Sequence, residues 1–210
     1  MAKKFAKLLG MDPWLIHPMF GQCGHVDFGS REGLDCVRSN VDALLTKIRR
    51  KHKEYGIGEK PFVVVKADAG GRGAGLVTLR DAKDLEALDL AAQARASAGV
   101  HEVIIQEGVP TYERVDDAVA EPVVYMMDRY VVGGFYRVHA GRGIDESLSS
   151  PGSGYAPLTF AESHHLPRQS GKPGASAPNR FYMYGVVGRL AMLAASYELE
   201  ATDPEAESYE

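Results

Sequence analysis

Apolar positions along this chain change period several times, and each change marks an element. Between Arg31 and Tyr55, residues Val37, Val41, Leu44, Leu45 and Ile48 recur at helix spacing, and Gly56 supplies a stop. The cations of KIRRKHK (47–53) fall in the last turns, where positive charge suits a helix C-terminus. Phe62–Val65 and Leu76–Leu79 then read as short strands joined by a glycine-rich loop. Asp81 caps a helix expected to reach about Ala98, where Gly99 ends it. Val103–Gln106 follows as a buried strand. The stretch EPVVYMMDRYVVGGFYRVH (121–139) reads as a hairpin, two β-rich runs around Asp128-Arg129-Tyr130. Residues 141–178 are rich in Gly, Ser and Pro and are expected to be largely loop. Asn179–Ala201 is apolar on most sides and predicts a long, buried helix. At the front, MAKKFAKLLGMD predicts a helical turn or two with Phe5, Leu8 and Leu9 on one side, and 13–30 an ordered loop with short extended pieces. This order predicts an α+β fold, an antiparallel sheet with helices to one side.

Composition adds bounds. The chain has 210 residues, enough for one large domain or two small ones. A net charge of −4 suggests no global nucleic-acid or membrane partner. No apolar stretch approaches the ~20 residues of a membrane span, and the N-terminus is too short and interrupted for a secretory signal. Two cysteines, Cys23 and Cys36, are too few for a disulfide framework, and the expected setting is a reducing cytoplasm.

The strongest chemical signal is the run FVVVKADAGGRGAGLVTL, with four glycines in the six positions 70–75. Backbone N–H groups freed by glycine can converge on phosphate oxygens, and Lys66 at the strand end adds a point charge for the same anion. A P-loop is excluded, because there the lysine follows the glycines and opens a helix. A flexible hairpin with no ligand is the plain alternative. VIIQEGV is an apolar strand ending in a polar pair; its backbone could read an adenine edge and Glu107 could hold ribose hydroxyls, or it is a mere strand end. Arg137, projecting from a rigid strand, suits a transferring phosphoryl group; a surface pair with Glu121 would be worth little. Asp145 and Glu146 could hold Mg²⁺ together with water and phosphate oxygens, or form a solvated acidic loop. His17, Cys23 and His25 are too few for a zinc site. Asn179-Arg180 opens the last helix and could bind an anion there, with ordinary capping as the alternative.

Taken together, DPWLIHPMFGQCG, YGIGEKPFVVVKADAG, EVIIQEGVPTYERV, AEPVVYMMDRYVVGGFYRVHA, GKPGASAPNRFYMYGVV and AASYELEATDP resemble the proteobacterial type of glutamate–cysteine ligase, and within it an ATP-grasp core. The chain resembles the C-terminal half of that family. The resemblance implies an ATP-dependent ligase that joins the γ-carboxylate of glutamate to cysteine through an acyl phosphate, the first step of glutathione biosynthesis, with ATP and Mg²⁺. It implies phosphate contacts from Lys66 and a flap of Gly70, Gly71, Gly73 and Gly75. Gln106, Glu107 and Val109 would lie at adenine and ribose, Arg137 at the phosphoryl group, and Glu121, Asp145 and Glu146 at magnesium or substrate. Small-molecule substrates are the implied partners, without nucleic acid or membrane. The implied division is a loop and helix segment at 1–58, a flap subdomain at 59–110, a catalytic subdomain at 111–202 and an acidic, disordered tail at 203–210. Ser147 and Ser149 stand where the family leads one to expect asparagines, which leaves an ATP-binding module without turnover as the alternative.

Overall fold

The helical period between Arg31 and Tyr55 exists to bury one stripe. In the computed structural model a 3-10 turn at Glu32–Leu34 leads into α2 (Asp35–Tyr55), and Val37, Val41, Leu44, Leu45 and Ile48 are all buried. Gly56 ends the helix with φ of 67°, a left-handed conformation that glycine adopts without the Cβ penalty. The structure describes residues 2–68, 77–88, 100–148, 152–158 and 180–202. Two units divide the chain, Met1–Pro110 and Thr111–Glu210.

The first unit opens with α1 (Ala2–Leu9), where Leu8 and Leu9 are exposed. Its sheet contains β1 (Phe20–Cys23), β2 (Val63–Ala67), β3 (Val77–Leu79) and β4 (Val103–Glu107) in the order β1-β4-β2-β3, all antiparallel. Alternation of side chains sorts the strands into two faces. Val63, Val65, Val103 and Ile105 point to the α2 stripe and join one buried cluster with it. Each such side chain contributes about 1.5–3 kcal/mol by leaving water, so α2 and the sheet form one core. Residues 1–58 and 59–110 therefore share that core. Gly108, just past β4, lies so close to Phe62 that an added Cβ would fall 2.0 Å from its ring, so only glycine lets the strand end there.

Two local expectations change in this unit. Asp81 does cap the next segment, with a reciprocal capping box to Asp84, but Ala82–Ala87 is 3-10 and Leu88 is already extended. The long helix expected to Ala98 is thus not continuous from its cap; 89–99 lie outside the described residues. The cysteines, too few for a framework, nevertheless form one bridge: Cys23 at the end of β1 and Cys36 in the first turn of α2 are disulfide-bonded, with Cα atoms 6.1 Å apart. A reading for a reducing compartment does not anticipate that bond.

The second unit is a four-stranded antiparallel meander, β5 (Arg114–Val115), β6 (Ala118–Met127), β7 (Tyr130–His139) and β8 (Gly154–Pro157). The expected hairpin is β6–β7, closed by Asp128-Arg129 with Asp128 at φ of 51°. Strand β8 falls in the stretch expected to be largely loop. The helix α3 (Arg180–Thr202) packs on β6 and β7, and Ala120, Tyr136 and Leu158 form the buried cluster, with Tyr184 of α3 against it. The expectation that the helix is buried is not met. Met183, Val187, Met192, Leu193, Tyr197 and Leu199 are exposed, because within this unit the sheet covers one side only. No described helix is long and apolar enough to cross a membrane. The acidic tail 203–210 lies outside the described residues.

Candidate functional site

The face of the first sheet turned away from α2 mixes polar and apolar side chains on its two central strands. Register places Phe20, Gln106, Val64 and Thr78 in one row and Gln22, Ile104 and Lys66 in the next. Lys66 and Gln106 are diagonal neighbours on adjacent strands, close enough for long side chains to meet. The Lys66 ammonium donates to Gln106 Oε1 at 2.8 Å. Gln22 reaches Asp68 at 3.4 Å, just where the glycine run begins. Two residues proposed from distant stretches of sequence thus form one pair on a half-buried face, and an ammonium has three donors, of which this bond uses one. Val109, beyond the strand end, is exposed. The flap glycines Gly70, Gly71, Gly73 and Gly75 lie outside the described residues.

Glu107 behaves differently from the ribose-holding carboxylate expected of it. It points to the opposite face from Gln106 and is only 5% exposed. The Trp14 indole N–H donates to both carboxylate oxygens, each at 2.9 Å, and the Met19 amide donates to Oε2 at 2.8 Å. Among the described residues it is the one buried charged side chain, and its donors are neutral. Burying a carboxylate costs several kcal/mol unless it is hydrogen-bonded. Trp14 and Met19 meet that requirement, and the carboxylate has its oxygens turned inward.

Trp14 is itself held. Asp12 caps the 3-10 turn Pro13–Leu15 by accepting from the Trp14 amide at 2.9 Å. Its second oxygen accepts from the Lys51 ammonium and, at 2.9 Å, from the Tyr55 hydroxyl. The Trp14 ring packs against Tyr55, centroids 5.1 Å apart, and His52, 6.2 Å apart. The Lys51 hydrogen bond, then the Trp14 amide, lower the Asp12 pKa from 3.8 to about 2, and Asp12 raises that of Lys51 in turn. A depressed carboxylate stabilises the fold above its unfolded pKa, and that stabilisation fades as pH falls through the folded value. Thermal midpoints followed from pH 7 to pH 2 should therefore drop more steeply between about pH 4 and pH 2 in the wild type than in Asp12→Asn. Parallel curves would remove Asp12 from the acid limb.

In the second unit, Glu121 and Arg137 are directly opposite each other on β6 and β7, with Arg137 Nη1 2.5 Å from Glu121 Oε1. Tyr155 continues the row on β8. The next row on this face holds Val123, Phe135 and Pro157, and Phe135 touches Tyr125 and Tyr155 at ring distances of 5.9 and 5.2 Å. The opposite face packs under α3, where burial and then the hydrogen bond to Glu113 raise the Tyr184 pKa. Arg137 is half-buried and held in place by Glu121, and its other guanidinium donors keep their fork geometry. Asp145 and Glu146 sit in the turn after β7, where Glu146 binds Arg142 at 2.8 Å and the Gly143 amide at 2.7 Å. The described residues contain no group of three or more His, Cys, Asp or Glu able to hold a metal ion. Glu121, Asp145 and Glu146 are therefore not gathered into a protein cage for Mg²⁺.

Sequence reasoning did not find Trp14, Asp12 or Lys51. The Asp-Pro-Trp order carries a local cap signal, but Trp14 and Glu107 are 93 residues apart and nothing local links them.

Comparison with known proteins adds a name to this geometry. A family model described as glutamate-cysteine ligase matches residues 1–199. No curated protein matches the chain. Among solved structures, the chain is similar to a candidate gamma-glutamylcysteine synthetase from Methylobacillus flagellatus KT, with 52% identity and a TM-score of 0.81. The match covers 96% of this chain and 49% of that one, so this chain spans about half the length of its structural relative.

Proposed function

Because the chain belongs to the glutamate–cysteine ligase family, we propose that it serves an ATP-dependent ligase joining the γ-carboxylate of L-glutamate to the amine of L-cysteine, the first step of glutathione biosynthesis. The observation that carries this reading is the Lys66–Gln106 pair on the open sheet face, immediately before the glycine-rich run. An ammonium suits phosphate oxygens, and an amide offers both a donor and an acceptor to a purine edge. The residues present fit a nucleoside triphosphate. Two antiparallel four-stranded sheets, each with a helix packed on one face, are compatible with the ATP-grasp architecture.

In the proposed reaction the glutamate γ-carboxylate attacks the terminal phosphorus of ATP, and the bond to the bridging oxygen breaks to release ADP. The cysteine amine then attacks the acyl carbon of the acyl phosphate, inorganic phosphate leaves, and the amine loses its proton. Lys66 holds phosphate charge, Gln106 and the backbone at Val109 orient the base, and Gly70, Gly71, Gly73 and Gly75 close over the phosphates. Arg137 neutralises the charge that develops on the transferring phosphoryl group, since a preorganised cation needs no rearrangement as charge forms. Glu121, Asp145 and Glu146 are candidate magnesium or substrate contacts; Glu121 and Glu146 each pair with an arginine through one oxygen, and a magnesium there would draw on water and phosphate oxygens as well. Calorimetric titration with ATP tests the nucleotide half: saturable binding is expected, and its absence at millimolar ATP would sink it.

A further inference from the structure

Strand β4 ends in two adjacent residues with opposite duties. Gln106 faces the open side and bonds Lys66, whereas Glu107 faces inward and receives Trp14 and Met19. Successive residues of a strand lie about 3.4 Å apart along its axis, so whatever fixes Glu107 also fixes the backbone that presents Gln106. The Met19 carbonyl accepts from the Glu107 amide at 2.8 Å, and Phe62 does the same for Gly108 at 2.8 Å, so the strand end is tied on both sides. The indole adds a tie to α2: its ring packs on Tyr55 and His52, and its backbone amide is held by Asp12, which Lys51 and Tyr55 hold in turn.

We infer that Trp14 is a positioning residue for nucleotide binding: its indole N–H holds the Glu107 carboxylate from behind and so sets the strand end that carries Gln106. The inference rests on the proposal that the open face takes ATP. A plain scaffold would use an apolar side chain at position 107, since a buried carboxylate with neutral donors gains little over packed hydrocarbon. What the carboxylate adds is direction. The indole N–H and the Met19 amide together fix the plane of the carboxylate.

The chain contains a single tryptophan beside ten tyrosines, so emission excited at the red edge, where tyrosine does not absorb, reports the surroundings of Trp14. In the wild type, ATP titration should change Trp14 emission saturably, with the same midpoint as calorimetry. Calorimetric binding with unchanged emission overturns the inference, because the indole then senses nothing of the site. Trp14→Phe keeps a ring against Tyr55 and His52 but removes the N–H. It should weaken ATP binding about tenfold, as loss of one hydrogen bond to a charged group does, with the circular dichroism spectrum unchanged. Combined with Gln106→Ala it should cost less than the sum of the single changes, since both act at one strand end. A lower melting temperature with ATP affinity intact would make Trp14 structural only. If the wild type binds no ATP by calorimetry, the functional proposal itself has failed, a result distinct from either of these.

Discussion

Arg137→Ala should lower kcat by about 100- to 1,000-fold, the range seen when one preorganised donor to developing charge is removed. ATP affinity should change little, because the proposed partner of the guanidinium is charge present mainly in the transition state. The guanidinium is held in place. Arg137 lies near the C-terminal end of β7, its register to Glu121 and Tyr155 is fixed by hydrogen-bonded neighbours, and the Glu121 carboxylate restrains its head. Arg137→Lys should recover only part of the rate, since a point charge does not reproduce the planar fork. Removing Arg137 also leaves Glu121 without its ion-pair partner, so Glu121→Gln is the matched control; it should cost far less. Steady-state kinetics with ATP and each amino acid varied separate the outcomes. A collapse of ATP affinity with kcat preserved would make Arg137 a nucleotide-positioning residue.

Lys66→Ala should have its effect on the other side of that division. Loss of a charge-assisted contact to phosphate costs about 1.5–3 kcal/mol, or roughly 10- to 150-fold in ATP affinity. Gln106, freed of its Lys66 donor, stays on the same open face, so the fold should be unaffected. ATP titration of the variant by calorimetry reads this directly. Unchanged affinity would remove Lys66 from the phosphate site and leave the Lys66–Gln106 bond as surface pairing.

How much of this was legible in the residues depends on how local each cause is. The α2 stripe, its Gly56 stop and the 121–139 hairpin follow from periodicity and turn chemistry, and the structure has them. The Asp81 cap was legible, but the length of what it caps was not, because apolar spacing alone does not distinguish an α-helix from the 3-10 segment Ala82–Ala87. The expected burial of α3 rested on its composition; its exposed side could not be read without knowing that one sheet covers it within the unit. Lys66 and Gln106 were each visible as strand-end polar residues, yet their contact depends on the β2–β4 register across 40 residues. The inward direction of Glu107 is not legible locally for the same reason. Alternation sends it to the α2 side, and its partner Trp14 sits in a turn far upstream. The Glu121–Arg137 pair was the easier case, since the hairpin brings its partners within 16 residues.

The central claim is amino-acid-dependent use of ATP, and release of ADP measures it most directly. With ATP, Mg²⁺, glutamate and cysteine present, ADP should accumulate together with γ-glutamylcysteine, and omission of glutamate should abolish ADP formation. Omission of cysteine should suppress turnover, because the acyl phosphate then has no amine to take it. ATP binding with no glutamate-dependent ADP release would contradict the ligase account and leave a nucleotide-binding module in its place.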